Sequence, residues 1–428
     1  MALSCECCHI FMAILQHVEA AGNVLRTKPL VLYGVYVQDK RVCTRRELAF
    51  PAIVWYNMAV LNRRDRSHHF AKGISEGRPE RSRGLYAGRH RLQTMDHGGI
   101  WYMAVRFGNI TLQHGLMLAP MAGVTDGTFR AICRTFGAEY VVSEMISAKA
   151  MSFHDKKTAA LAALTLAEQP AGIQIFGHEP QIMAQAAQTL CKGVLSGCMP
   201  AAIDINMGCP VKKIVNNGDG SALMCHPTLA KEILSAVRRV TDLPLSVKFR
   251  TGFTKDQTDQ CVVLARIAVE CGVDMICVHG RTRQQMYAPP VDLDSIARVR
   301  DAVPPNIAVF GNGDIQSGAD ALKMMRHTGC DGVAIGRGAC GNPWIFSEVA
   351  AAMDGVPYTP PTQQERIETA LDHLERLRES KGESVAHLEA RKHLAWYIKG
   401  FEGAVQVRRE INRAQSTQQL EVLLRTML

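Results

Sequence analysis

The run Ala202 to Met207, AIDINM, breaks into Gly208-Cys209-Pro210 and, after Val211, is followed by Lys212 and Lys213. A buried strand that meets Gly and then Pro must turn sharply, so this spacing predicts a thiol presented at a strand's carboxyl end. Parallel α/β barrels keep their chemistry at that end. A thiol there can give up a proton near neutral pH and regain it from solvent, and a nearby lysine favours its thiolate. Against that stands the ordinary use of a single cysteine as a small apolar filler. Two further ionisable residues, Lys248 and His279, lie near the ends of apolar runs. A lysine deep in a fold needs an anionic or electron-rich partner, although an internal ion pair or a satisfied core imidazole would account for such residues as well.

Strands must position these groups, and the chain carries eight runs of one kind. They are LMLAPMAG from Leu116, YVVSEM from Tyr140, AGIQIFG from Ala171, AIDINMG from Ala202, LSVKFRTG from Leu245, MICVHGRTR from Met275, IAVFGNGD from Ile307 and GVAIGRG from Gly332. Helix-like stretches such as DGTFRAICRTFG, TLAKEILSAVRRV and QCVVLARIAVECG fill the gaps. That alternation is the βα repeat of a parallel sheet. Eight units over about 230 residues suit an α/β fold of the (β/α)₈ TIM-barrel type. The polar ends of the runs then converge on one mouth: Pro120, Met121, Glu144, Gln174, Asn206, Cys209, Lys248, Arg250, His279, Arg281, Asn312, Asp314, Gly336 and Arg337. The last two runs end in the turns Gly311-Asn312-Gly313-Asp314 and Gly336-Arg337-Gly338. Bare backbone N–H groups in the loops after strands seven and eight commonly cradle a phosphate in this barrel, so a phosphorylated ligand is expected.

The blocks APMAGVTD, SEM, DINMGCPVKK, GSAL, VKFRTG, HGRTR, GNGDI and IGRGACGNPWIF occur in this order. In them the chain resembles the tRNA-dihydrouridine synthase family, nearest its bacterial B-type branch, from Met103 to the carboxyl end. The resemblance implies an FMN-dependent enzyme that reduces the 5,6 double bond of a uridine in tRNA, with NADPH as reductant. It implies that Pro120, Met121 and Ala122 line the isoalloxazine, that Gln174 and Lys248 hydrogen-bond the flavin ring, and that His279 joins this site. It further implies that Asn312, Gly313, Asp314, Gly336 and Arg337 hold the ribityl phosphate, that Cys209 is the general acid and that Asn206 orients the uracil. Arg250, Arg281 and Arg283 are expected on the substrate side, where an RNA backbone could pass. Uridine must leave its stack to be reduced, which calls for a deep pocket.

Beyond PYTPPT, from Pro357, strand signals stop, and from Thr362 apolar residues recur at spacings of three and four. That pattern reads as a small all-α helical bundle. Its basic residues, among them Arg391, Lys392, Lys399, Arg408, Arg409 and Arg413, stand near Trp396, Tyr397 and Phe401. For an isolated bundle a solvated charged face would explain them; the resemblance implies instead a domain that grips tRNA, with Arg391 and Lys392 in contact with it. The expected organisation is thus an extension over residues 1–102, an FMN-binding barrel over 103–350 and a helical tRNA-binding domain over 351–428.

Residues 1–102 hold 15 Lys+Arg against 8 Asp+Glu and so carry most of the chain's formal +9. The Gly/Arg/His/Ser-rich stretch 63–91 reads as disordered. Met103 opens a natural amino terminus for this family, so the extension is expected to be upstream sequence rather than a domain, with a basic accessory RNA-binding arm as the competing reading. The Leu48 run is too short to span a membrane, and Cys5, Cys7, Cys8 and His9 have no second ligand cluster, so neither membrane nor metal is expected. Ten of the fourteen cysteines lie after Met103 and are scattered singly, as in a reduced cytoplasmic protein. A monomer is expected. A small-molecule FMN barrel of the dihydroorotate dehydrogenase type is the competing enzyme class, and a binding protein on an inactive barrel is the third.

Overall fold

The computed structural model describes residues 100–193 and 197–428, and before them only the strand pieces 37–38, 41–42 and 92–94. The expectations placed on Cys5, Cys7, Cys8 and His9, on the Leu48 run and on the 63–91 stretch lie outside the described residues. In the first of two compact units, Met1–Gly84, Val37–Gln38 pairs antiparallel with Arg41–Val42. The second unit, Leu85–Leu428, holds the elements that follow.

Eight strands form the barrel: β1 (Leu116–Leu118), β2 (Tyr140–Val142), β3 (Ala171–Phe176), β4 (Ala202–Met207), β5 (Leu245–Arg250), β6 (Met275–His279), β7 (Ala308–Asn312) and β8 (Gly332–Ile335). Each pairs in parallel with the next, and β8 returns to β1 with Val333 opposite Leu116, so the sheet closes. Alternation sorts the side chains. On β4, Ile203, Ile205 and Met207 face outward into the layer shared with the helices, while Ala202 packs inside the barrel. Helix Pro227–Arg238 answers that layer with Ala230, Ile233, Leu234 and Val237, all fully buried and spaced by three and four. Ile233, Leu234 and Val237 each contribute roughly 1.5–3 kcal/mol by leaving water.

The register also aligns the polar residues. Gln174 lies opposite Asp204 and Asn206 opposite Lys248, and one level on come Arg250, His279, Asn312 and Ala334 in sequence around the barrel. The other end is stoppered by the hairpin Val105–Phe107 and Ile110–Leu112, whose Phe107 meets Tyr140 and Phe310 edge-on at 5.2 and 6.4 Å. With one end filled by aromatic rings, the strand carboxyl ends are the open mouth.

Four helices follow the barrel: Gln363–Lys381, Glu383–Tyr397, Ala404–Arg413 and Thr417–Arg425. The first starts at a capping box between Thr362 and Glu365, which satisfies two of its free N–H groups. The boundary expected at residue 350 falls inside helix Ile345–Asp354, whose Ile345, Phe346, Val349 and Met353 belong to the barrel core. The bundle therefore begins at Thr362.

Bundle and barrel share an aromatic seam. Phe129 stacks on His373 at 5.7 Å and lies 5.2 Å from His393, and the two imidazoles are 4.5 Å apart. Trp344 of the barrel joins the bundle core beside Tyr397. Gly341, at φ +67°, lets the loop after β8 rest on the Trp396 backbone, which an added Cβ would meet at 2.3 Å. The Lys392 ammonium donates to the Gly123 carbonyl in the loop after β1, and Lys381 pairs with Asp126 at 2.7 Å.

Burial holds both imidazoles neutral: the His373 pKa falls to about 4 and that of His393 well below the usual value. Asp126, which the Lys381 ammonium holds ionised, partly opposes the shift at His373. An unfolded imidazole takes up its proton near pH 6.5, whereas folded His373 refuses it until about pH 4. Stability is therefore complete above pH 6.5 and is lost as pH falls through that window, by about 3 kcal/mol from His373 alone. Thermal melts between pH 7.5 and 4.5 should show this fall, and H373L should flatten it; an H373L protein with the wild-type slope would contradict the assignment.

Candidate active site

At the open mouth lies a cavity of about 450 Å³, within the size range of small-molecule sites. Its wall contains Pro120, Met121 and Ala122 from the loop after β1, Gln174 from β3, Asn206 and Cys209 from β4 and its loop, and Lys248 and Arg250 from β5. His279, Asn312, Gly313, Asp314, Gly336 and Arg337 complete it. Of the mouth residues expected from the sequence, Glu144 and Arg281 do not line this cavity; Glu144 instead accepts from the Gly123 N–H at 2.7 Å.

Two chains of hydrogen bonds run beneath it. In the first, Gln174 Nε2 donates to Asp204 Oδ2 at 2.6 Å, and Asn206 Nδ2 donates to Gln174 Oε1 at 2.8 Å. Asn206 Oδ1 then accepts from the backbone N–H of Gly208 and of Cys209, at 3.2 and 3.0 Å. In the second, Lys248 Nζ donates to Asn312 Oδ1 at 3.0 Å, and Asn312 Nδ2 donates to the Ala334 carbonyl at 2.6 Å. The Cys209 carbonyl accepts from both Ser221 N and Ser221 Oγ, so the GSAL segment buttresses the loop from behind.

The field in the cavity is positive. Burial lowers the Lys248 pKa and also that of Arg250, to about 10. His279 is held neutral by burial and by the cations Lys248, Arg250, Arg281 and Arg337 around it. Its Nε2 lies 3.4 Å from Arg281 Nη1; a guanidinium can only donate, so Nε2 accepts and the proton sits on Nδ1. Burial pushes the Cys209 thiol up, against a smaller opposing pull from Arg250. Lys212 and Lys213, expected to support a thiolate, are exposed, and the nearby cation is Arg250. The thiol is therefore kept protonated at neutral pH, the state of a proton donor.

Several residues expected to meet the substrate are engaged within the protein. Arg281 is 1 % exposed; its guanidinium donates to the Ala288 carbonyl and pairs with Asp314, so it does not face a passing RNA backbone. Arg283 lies over the Phe253 ring at 5.3 Å. Arg250, 2 % exposed, donates to the carbonyls of Gly208, Thr282 and Met286 at 2.8, 3.0 and 2.8 Å. Arg391 donates to the Ala414 carbonyl at 2.5 Å, and Lys392 holds Gly123. Asp314 pairs with Arg281 and Arg337; a carboxylate repels a phosphate, so its side chain braces the two arginines rather than holding the anion itself. Gly336, Gly338 and Gly341 carry a G-x-G-x-x-G spacing, but here it follows the last strand of a closed barrel and serves packing: a Cβ at Gly338 would meet the Ile315 carbonyl at 2.1 Å.

Sequence reading passed over two residues. Asp204 stands two positions before Asn206, so strand alternation puts it on the same inner face, a signal that was there to be read. Tyr287, which lines the cavity under the guanidinium of Arg337 at 4.9 Å, sits in an irregular loop with no periodic signal.

Residues 117–428 match the family model described as dihydrouridine synthase (Dus). The tRNA-dihydrouridine synthase B of Pseudomonas aeruginosa is 40% identical over 314 residues, 73% of this chain and 92% of that protein. That of Vibrio parahaemolyticus is 41% identical over 72% of this chain and 94% of its own length. A probable tRNA-dihydrouridine synthase of Rickettsia conorii is 38% identical over 72% and 91%. The matched span takes in the β4 loop with its thiol, both glycine turns and the helical bundle. The chain belongs to the dihydrouridine synthase family, beside the bacterial tRNA-dihydrouridine synthases of the B type.

Proposed function

We propose that the protein binds FMN in the barrel mouth, draws reducing equivalents from NADPH and reduces the 5,6 double bond of one uridine in folded tRNA. One observation carries this reading: the protonated thiol of Cys209 opens onto the same cavity as Lys248, His279 and Arg337. The residues fit a phosphorylated flavin. Pro120, Met121 and Ala122 offer an apolar wall, and the Lys248 ammonium and the Nδ1–H of His279 offer donors to ring acceptors. Gly313 and Gly336 leave backbone unshielded beside Arg337, as an anion requires.

When bound, FMN would supply the hydride to one carbon of the uracil double bond, having received it from NADPH. Cys209 Sγ then gives its proton to the neighbouring carbon from the opposite side of the base and is recharged from solvent. Asn206 keeps the loop in place through its side-chain carbonyl, while its second amide N–H, resting on the weakly accepting Met145 sulfur at 3.6 Å, can turn to a uracil oxygen. Lys399, Arg409 and Arg413 are exposed on the bundle and supply nonspecific attraction to phosphates. We place the enzyme in the cytoplasm, as a monomer; free thiols such as those of Cys133, Cys209 and Cys225 are in keeping with a reducing compartment. Among the described residues no helix is long and apolar enough to cross a membrane.

The test is nucleoside mass spectrometry of unmodified tRNA incubated with protein, FMN and NADPH. Uridine gaining two hydrogens in tRNA is the expected result. Bound flavin and NADPH oxidation without that gain would instead favour a small-molecule pyrimidine reductase.

A further inference from the structure

Asp204 is a carboxylate inside the barrel, fully buried and pushed upward in pKa by that burial. Removing a carboxylate from water is costly unless its partners gain by it. The nearest obvious partner would be a cation, yet Lys248 donates to Asn312 and not to Asp204. The two carboxylate oxygens go elsewhere: Oδ1 accepts from Ser246 Oγ, and Oδ2 from Gln174 Nε2 at 2.6 Å. The group is therefore held for what it does to uncharged neighbours.

A side-chain amide can usually be turned over at little cost, because one end accepts and the other donates. Gln174 and Asn206 have no such freedom. The carboxylate can only accept, so the nitrogen of Gln174 must face it and the Gln174 oxygen must face away. That oxygen can only accept, so Asn206 must offer its nitrogen, at 2.8 Å, and turn its own oxygen to the loop. There the N–H groups of Gly208 and Cys209 can only donate. Every link has one permitted direction, and both ends agree. Gln174 is pinned further by its own backbone N–H, which donates to Ser143 Oγ at 3.0 Å.

We propose that Asp204 is a positioning residue which, acting through the amides of Gln174 and Asn206, fixes the loop that presents the Cys209 thiol. This rests on the reading of Cys209 as proton donor. It has a corollary for recognition: both amides show the cavity a spare N–H and no free carbonyl. That of Asn206 rests on the Met145 thioether at 3.6 Å, a weak acceptor that a ligand carbonyl can displace. The cavity floor is thus set to receive oxygen acceptors and to reject amino groups at the same places.

The test compares D204A, D204N and Q174M as flavin-loaded full chains. Two readouts are taken: uridine reduction in tRNA per bound flavin, and the pH profile of iodoacetamide alkylation at Cys209, with exposed Cys225 as internal reference. D204A should lower turnover about tenfold or more, since a displaced donor group is poorly aligned. It should also move the Cys209 alkylation midpoint down, since a thiol released from its buried place loses the burial that raises it. D204N should restore both to near wild type, because its amide oxygen can face Gln174 while its nitrogen faces Ser246. Should D204A fail to fold, Q174M cuts the same chain one link on and must shift the Cys209 profile. The proposal is overturned by an unchanged Cys209 profile in Q174M or in a folded D204A, or by D204N as damaged as D204A, which would make charge and not direction the cause. A wild-type protein that leaves tRNA uridine untouched would defeat the functional reading, while the alkylation profiles would still decide the relay.

Discussion

Cys209→Ala is expected to retain flavin and its reduction by NADPH while losing uridine reduction by about 10²–10⁴-fold, the usual worth of a placed general acid. The loss should belong to the second half-reaction alone, because in the proposed reaction the thiol gives its proton to the base and takes no part in reducing the flavin. Mixing pre-reduced enzyme with tRNA in a single turnover isolates that step. In the wild type its rate should stay level through neutral pH and fall only in the alkaline range. The sign follows from burial, which raises the thiol pKa and so keeps the proton on sulfur to higher pH than an exposed cysteine would. C209A should abolish this alkaline limb along with the rate. A C209A enzyme with normal single-turnover kinetics would refute the assignment.

Arg250→Lys is expected to cost nearly as much, although it keeps the charge. The guanidinium joins Gly208, the residue before Cys209, to Thr282 and Met286 in the loop after β6. Three carbonyls in different directions suit a planar five-donor fork and defeat a single ammonium on a shorter reach. At least one buried carbonyl would lose its donor, a penalty on the order of 1–3 kcal/mol. The thiol would lose its fixed position, and a shift of about 1 Å can lower a rate a hundredfold. The measurements are the thermal midpoint and the single-turnover rate with tRNA. A fall in midpoint with the rate intact would make Arg250 a structural staple with no part in presenting Cys209.

Period and punctuation made the barrel legible. The eight apolar runs coincide with the eight strands, the Ile307 run beginning one residue before β7, because a strand buried on both faces has to be written as a continuous apolar run. Strand ends marked by Gly, Asn or a charge were enough to place Gln174, Lys248, His279 and Arg337 at one mouth. What could not be read was which charges were already engaged. Arg281 looks like a free cation at a loop, and only the folded chain brings Asp314 to it. Lys392 looks like part of a basic helix face, yet its partner carbonyl lies 269 residues earlier. Sequence periodicity reports which side of an element is wet, and it carries no information on a contact between elements. Asp204 is the opposite case, legible by alternation but overshadowed by the Asn-Met-Gly-Cys signal beside it.

The joint between barrel and bundle has a consequence for exchange between relatives. Lys392 holds the loop that carries Pro120 and Met121, and the Trp396 backbone seats the loop that carries Gly336 and Arg337, so the helices grip two sides of the barrel cavity's rim. A chimera that swaps only residues after Thr362 would fit foreign helices to resident loops and disturb the cavity as well as the bundle's own surface. The heritable module is the bundle together with the β1 and β8 loops. Divergence in which uridine is selected must then proceed by paired changes on both sides of that seam.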